Sequence, residues 1–337
     1  MHRRTFLAAG VAAFVPSAEP VASRDELVQA LLPGFVPAGT AAPLDTAVPR
    51  RRVGEARRLF HTCDYTALEH MLPGLIADLR QAAHDARATD AFSPLLATAY
   101  QTATSLLLKQ HDQGTAWLAV GRAMAEAERS GDPLILASSV RAQDHVLARE
   151  KHTEQAVALV RRTADQLTGS YDRRSPEYLA AVGLLLLRGA TAAGGGGNRA
   201  AAEEFLSEAK EVARYVSLDR PDAWATFGPT NAALHEVSAR VALGDVGLAL
   251  QAAHLLMRRR IPVPERRAAL WLEVARAYSR QGRLAEGHRA LCVAETCAAQ
   301  DVRRPAVRDL VAEMAARDRR RTLPGLHRLS RRLGVPA

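Results

Sequence analysis

The sequence predicts an all-α protein, a right-handed solenoid of antiparallel helical hairpins. Aromatic residues make up only 5% of the 337 residues, and the apolar 48% is mostly Ala, Leu and Val. Ala and Leu are strong helix formers, whereas the β-branched and aromatic residues that favour strands are scarce. From about residue 55 onward, apolar residues recur at helical spacing in stretches of about 15–20 residues that short breaks separate. Helices of that length joined by short turns are typical of stacked helical hairpins.

Residues 1–54 are predicted to form an N-terminal apolar segment followed by a linker rich in Pro and Ala. Within this part only "SRDELVQALL" has a helical pattern, with Ser23 as the N-cap and Glu26 as its capping-box partner. The linker is expected to end at the basic run Arg50–Arg52. The hairpin array therefore begins after it.

Residues 55–320 are predicted to form the array, with about five or six hairpins. Turn-forming residues interrupt the helical pattern at short intervals. These breaks are "SGDP" at 130–133, "SYDRRSP" at 170–176, "GGGGN" at 194–198, "LGD" at 243–245 and "RQGR" at 280–283.

The clearest repeat, "ALWLEVARAYSRQGRLAEGHRALCVAETC", orders its large, small and turn residues as a tetratricopeptide repeat does. Ala275 and Gly287 allow two antiparallel helices to approach closely, and Gly282 accepts the turn conformation between them. Trp271 is expected to pack into the neighbouring hairpin. The preceding repeat has its turn glycine at Gly244, 38 residues earlier, which is near the usual repeat length.

Residues 321–337 are predicted to form a basic C-terminal capping helix. Leu326, Leu329 and Leu333 lie on one face of this helix, and arginines occupy its other side. Terminal repeats of helical arrays need such a polar outer face.

The formal net charge of +9 is concentrated at the two ends of the chain. Residues 1–60 contain eight arginines against five acids, and residues 301–337 contain ten arginines against four acids. Residues 61–300 contain 27 basic and 27 acidic residues. Basic ends on a neutral body predict, at most, weak and non-specific contact with nucleic acid.

The motifs that carry catalysis are missing from this sequence: it has no phosphate-binding Gly-rich loop, no His-Glu-x-x-His helix and no Gly-x-Ser-x-Gly elbow. Cys63 has only His61 nearby as an activating neighbour. His288, Cys292 and Glu295 share one helix face, but a fourth metal ligand is not evident. We therefore predict a binding protein rather than an enzyme, with no catalytic residue, metal site or cofactor.

The first helix of each hairpin in a solenoid lines the concave face, which is the usual binding surface. Arginines on this face suit a carboxylate through bidentate pairing, and an asparagine amide can hold the main chain of an extended peptide. The alternative is that these side chains are solvated or paired internally. The predicted ligand-binding residues on these helices are Asn231, His235, Arg188, Arg276 and Arg280, and the same register also points Arg141, His145, Ser238 and Glu273 to this face.

Two aromatic residues, Trp224 and Phe227, precede Gly228-Pro229 at the start of a concave helix. Thr230 is the predicted N-cap of this helix. The two aromatics are expected to form a wall of the ligand pocket. The alternative is a hydrophobic staple that docks the hairpin.

The segment "FGPTN" at 227–231, with His235 and then "GD" at 244–245, resembles part of a known family. It is similar to the helical-repeat region of actinobacterial helix-turn-helix transcriptional regulators of the Cro/repressor (Xre) class. Further matches are the string "RRTFL" near the N-terminus and the end "LHRLSRRLGV" at 326–335. The resemblance implies a sensor region that binds a peptide, a small molecule or a protein partner such as a DNA-binding regulator. The DNA-binding domain of those regulators has no counterpart in this sequence.

The string "RRTFL" also resembles a twin-arginine export signal, with an apolar run over 6–15 and a cleavage site at Val21–Ser23. Only two residues precede the arginine pair, and Pro16 closes the apolar run early. We therefore expect a cytoplasmic protein, with export as the alternative. A scaffold-type repeat protein without a small ligand is the alternative function, and a homodimer is compatible with either function.

Duplex DNA should bind the isolated protein weakly and without sequence preference, because only the basic ends attract phosphate. The affinity should fall steeply as salt rises, since binding releases counterions from the DNA. Fluorescence anisotropy at several salt concentrations, with two unrelated duplexes, measures both properties. A footprint at one defined operator would contradict this prediction.

Overall fold

The fold is described from a computed structural model that covers residues 19–34, 46–84, 89–170, 175–216 and 227–335. These residues form sixteen α-helices and contain no strand. The predicted all-α class is therefore confirmed.

The helices follow one another with short connections. In chain order they are α1 (Glu19–Leu31), α2 (Ala47–Thr62), α3 (Tyr65–His84), α4 (Thr89–Lys109), α5 (Gln113–Ser130), α6 (Pro133–Arg149), α7 (Thr153–Ser170) and α8 (Pro176–Gly195). The second half comprises α9 (Arg199–Arg214), α10 (Pro229–Leu243), α11 (Val246–Met257), α12 (Pro264–Arg280), α13 (Leu284–Cys297), α14 (Ala299–Val302), α15 (Pro305–Arg317) and α16 (Pro324–Arg332).

Side-chain caps fix several helix ends at the breaks predicted from the sequence. Asp132 accepts a hydrogen bond of 2.8 Å from the Leu134 N–H at the start of α6. Asn198 accepts one of 3.1 Å from the Ala201 N–H at the start of α9. At the other end of a helix, Gly244 adopts the left-handed conformation that stops α10. The boundaries are therefore set by local chemistry that the sequence contains.

The even-numbered helices from α2 to α12 form an inner series. Each packs against the next even-numbered helix, and α12 also contacts α2, so the series of contacts returns to its start. The odd-numbered helices from α3 to α11 lie outside, each packed between two consecutive inner helices, and α13 packs against α12. The face predicted to be concave is therefore surrounded by helices rather than open along its length.

A buried polar network joins α3 and α4 to α12 and α14. The Lys109 ammonium, at the end of α4, lies 2.8 Å from Glu265 at the start of α12 and 3.0 Å from Asp301 in α14. The Tyr65 hydroxyl, at the start of α3, donates a hydrogen bond of 2.9 Å to Asp301. All these groups are buried or nearly so. The network ties the third and fourth helices of the fold to its C-terminal part.

Close helix approach in the middle of the fold depends on Gly183. The ring of Phe227, which precedes α10, lies directly over this glycine of α8 and occupies the space that a Cβ would need. Phe227 is 2% exposed and belongs to the same core cluster as Tyr178 and Phe205.

Several predicted details differ from the structure. Helix α1 already begins at Glu19, so Ser23 lies within it and is not its N-cap. Helix α2 begins at Ala47, so Arg50–Arg52 lie on a helix and not in a linker. Gly228 is the N-cap of α10 with Pro229 in the first position, so Thr230 is not the cap. Each difference moves a helix start toward the N-terminus of the predicted position.

Replacing Gly183 with alanine should destabilise the protein by about 1–3 kcal/mol, because the new methyl group would force the Phe227 ring out of its place. The matched control is Gly121→Ala on the exposed face of α5, where a Cβ meets no atom. That change should stabilise the protein by about 0.5–1 kcal/mol, since alanine is the better helix former. Urea unfolding measures both free energies. Equal effects of the two substitutions would show that the contact between Gly183 and Phe227 is not tight.

Candidate functional site

The six inner helices line a cavity of about 440 Å³. A smaller recess of about 90 Å³ adjoins it, since five residues line both. The shared residues are Phe60, Ser105, Arg141, Leu184 and Arg266. Side chains from helices far apart in the chain therefore meet in this space.

Positive charge dominates the walls of the two spaces. Only two acidic residues, Glu265 and Glu273, line them, and the buried Asp144 and Asp301 stand behind the walls. The cationic lining residues are Arg57, Lys109, Arg141, Arg149, Arg188, Arg266, Arg276, Arg280 and Arg304. The cavity therefore holds more cations than its own carboxylates can neutralise.

Some of these cations have carboxylate partners. Arg188 lies 3.4 Å from the fully buried Asp144, and the Arg304 Nε lies 3.3 Å from Asp301. Arg276 pairs with Glu273 one helical turn away on α12. The carboxylates of Asp144, Asp301 and Glu273 are therefore already paired.

Other cations lack such a partner. Within the part of the chain that the structure describes, the half-buried guanidinium groups of Arg141 and Arg149 have no hydrogen bond or ion pair. Arg280 donates to the Val241 carbonyl but has no carboxylate partner there. Burial and the neighbouring Arg188, Arg266 and Arg57 lower the pKa of Arg141 to about 9. Unpaired guanidinium groups in a confined space create a strong field for an anion.

Three histidines stand among these arginines. Burial, with Arg266 adding to it, lowers the pKa of His61 to about 4. Burial and the positive charge of Arg188 also hold the pKa of His145 and of His235 well below the ordinary value. The Nδ1 of His235 lies 3.0 Å from the Thr191 hydroxyl. The histidines are therefore neutral at pH 7 and add no positive charge.

Most of the predicted ligand-binding residues meet in this cavity. Arg188, His235, Arg276 and Arg280 all line it, although they come from three different helices. The other residues of the predicted face that line it are Arg141, His145, Ser238 and Glu273.

Two predicted residues do not form the site, and a third lies outside the described residues. Asn231 is only 4% exposed and is not among the lining residues, so its assignment to the concave face is corrected. Asn231 lies in the first turn of α10, where the chain packs into the core. Phe227 is a core residue over Gly183 and not a pocket wall, as the staple alternative held. Trp224 lies outside the described residues.

Sequence reasoning missed five cations of the cavity: Arg57, Lys109, Arg149, Arg266 and Arg304. One signal for Arg149 was present, since it follows Arg141 and His145 at four-residue intervals on α6. Lys109, Arg266 and Arg304 lie at helix ends and Arg57 lies within α2, and no local pattern in the sequence indicates that these four side chains meet.

The alternative sites weighed from the sequence are differently placed. Cys63 is buried beside Tyr65, and burial together with Asp301 raises the pKa of its thiol to about 12. A thiol of this kind is a poor nucleophile. The Cys292 sulfur lies 3.5 Å from the His288 Nε2, and no group of three metal-ligating side chains occurs in the described ranges.

No family model matches the chain, and no curated protein matches it in sequence. Among the described helices, α8 alone is long and apolar enough to cross a membrane by length and composition, and 67% of its apolar window is buried in the fold.

Lowering the pH from 7 to 5 should destabilise the protein, because His61, His145 and His235 protonate more readily in the unfolded chain than in the folded one. Their ordinary pKa is near 6.5, and in the fold it is lower. The unfolded state therefore binds more protons below pH 6.5, which costs about 1.4 kcal/mol per pH unit for each histidine.

Urea unfolding at several pH values measures this slope. His145→Gln should make it shallower, whereas the exposed His254→Gln should leave it unchanged. A wild-type slope in the His145→Gln variant would contradict the assignment of a neutral, buried imidazole.

Proposed function

We propose that this chain is a ligand-sensing helical-repeat module that binds an anionic ligand in its central cavity. In this proposal the finer architecture is a right-handed solenoid of antiparallel, tetratricopeptide-like hairpins. The alternation of inner and outer helices from α2 to α13 supports it. Because α12 also contacts α2, the array in this proposal curves back upon itself.

The surplus of arginine over carboxylate in the cavity carries the proposal. A buried or half-buried cation without a partner is costly to a folded protein unless a counter-charge arrives. Arg141 and Arg149 are in this situation, and they face a space of about 440 Å³. Planar guanidinium groups recognise carboxylate and phosphate oxygens through paired hydrogen bonds. An anionic ligand would supply what the cavity lacks.

The module is proposed to act by binding rather than by catalysis. The carboxylates of the cavity are held in ion pairs with Lys109, Arg188 and Arg276, so they are not free to exchange protons with a ligand. The cavity volume lies in the range typical of small-molecule sites. It suits a small molecule or the end of a peptide better than the surface of a folded protein.

The wider role rests on the resemblance to transcriptional regulators. In this role the module acts in the cytoplasm and passes its signal to a protein partner such as a DNA-binding regulator. A scaffold without a small ligand is the weaker alternative, because it leaves the unpaired arginines unexplained. The N-terminal string that resembles an export signal lies outside the described residues.

Anions should raise the melting temperature of the wild-type protein at constant ionic strength, because a ligand that binds only the folded state stabilises it. The probes are inorganic phosphate, sulfate and citrate, with chloride as the reference. Without anions, Arg141→Gln should melt at a higher temperature than the wild type, because removing a half-buried charge that has no ion pair should raise the free energy of unfolding by about 0.5–2 kcal/mol. It should also lose most of the anion response.

The matched control is Arg162→Gln, which changes an exposed arginine on the outer helix α7. It should melt and respond to anions as the wild type does. An anion response of wild-type size in Arg141→Gln would place the binding outside the cavity and defeat the proposal.

A further inference from the structure

The positive charge of the cavity forms two groups, one around Arg141 in the middle of α6 and one around Arg149 at its C-terminal end. Arg141, together with Arg57 and Arg266, lines the smaller recess. Arg149 does not reach that recess and instead lines the main cavity with Arg276 and Arg304. Each end therefore has its own group of three arginines, one of which makes no hydrogen bond or ion pair in the described structure.

Electrostatics agree with this division. Arg57 and Arg266 are among the charges that lower the pKa of Arg141. The pKa of Arg149 is lowered to about 10 by burial and by Arg304, Arg188 and Arg276. Arg188 is the charge common to both ends.

The middle of the cavity is different in character. Arg188 is compensated there by Asp144, and His145, halfway between Arg141 and Arg149, is neutral. Phe60 and Leu184 contribute apolar walls where the recess adjoins the main cavity. An uncharged spacer can therefore lie along the neutral His145 and these apolar side chains, between two anionic ends.

The spacing follows from helix geometry. Arg141 and Arg149 are eight residues apart on α6, with His145 between them on the same side. At 1.5 Å per residue, their Cα atoms are about 12 Å apart along the helix axis. Two anions bound at the two ends are separated by a distance of this order.

We infer that the ligand is a small molecule with two anionic ends, carboxylate or phosphate, joined by an uncharged spacer and separated by about the 12 Å between Arg141 and Arg149. This inference rests on the proposed function, since it concerns the same cavity. It adds that the two ends act together and that a single anion fills only half of the site.

The experiment is calorimetric titration of the wild-type chain with alkane bisphosphonates and alkane dicarboxylates of graded length. Methylphosphonate and acetate serve as single-ended controls. One chain length should bind about 100-fold more tightly than the single-ended compound, because the second contact becomes intramolecular. That compound should bind with one equivalent, and the single-ended one with two. The comparison of the two series shows whether carboxylate or phosphate ends are preferred.

Two substitutions then test the two ends separately. Arg141→Gln and Arg149→Gln should each reduce the affinity for the best double-ended compound to about that of its single-ended counterpart, a loss of about 100-fold. The control Arg162→Gln should keep the wild-type affinity. The length series needs no variant, so it tests the inference even where a substitution impairs folding.

The outcomes distinguish a failure of the two-ended ligand from a failure of the proposed function. If no anion binds in a manner that depends on Arg141, the proposed function itself fails. If anions bind in that manner but affinity shows no optimum of length, the two-ended ligand is overturned and the proposed function stands. If Arg149→Gln binds the best double-ended compound as the wild type does, the second end is likewise overturned.

Discussion

The ammonium of Lys109 holds together the parts of the fold that the cavity needs. It lies within 3.0 Å of both Glu265 and Asp301, and Asp301 also accepts the Tyr65 hydroxyl. Burial opposes the charge on Glu265, but Lys109 and Arg266 hold its pKa well below the ordinary value, so the pair is charged. Removing one partner of such a buried pair typically costs about 3–5 kcal/mol, because the remaining charge loses its compensation. Together with the direct contact between α12 and α2, this ion pair holds the early helices of the inner series against its last helix.

The cations that form ion pairs stabilise the fold, whereas the cations without an ion pair are the ones proposed to bind the ligand. Lys109 and Arg188 are satisfied by buried carboxylates, and they stabilise the contacts between helices. Arg141 and Arg149 have no such role in the described structure, and the protein tolerates their repulsion. Local arrangements that cost stability are most often found where a protein binds something, because selection keeps them for that reason.

The sequence contained the local features of this fold but not its closure. The helix ends at Asp132, Asn198 and Gly244 follow from capping and turn chemistry, which acts over a few residues. The cavity positions of Arg188 and Arg276 follow from helical periodicity, which is also local. Lys109 meets Glu265 across 156 residues, and no periodicity within either helix specifies that contact. The prediction that Phe227 forms a pocket wall fails for a related reason, since the glycine that its ring covers, Gly183, belongs to another helix.

The first turn of α12 combines the two requirements of the site. Glu265 and Arg266 are consecutive: the carboxylate holds α12 against α4 through Lys109, while the guanidinium lines both the recess and the main cavity. Arg266 also contributes to keeping Glu265 charged. A negative charge placed against Arg266 would therefore also affect Glu265 and its ion pair with Lys109. In the proposed function, binding of an anion near Arg266 is therefore coupled to the Lys109–Glu265 ion pair through two adjacent side chains. This coupling requires no change of helix packing.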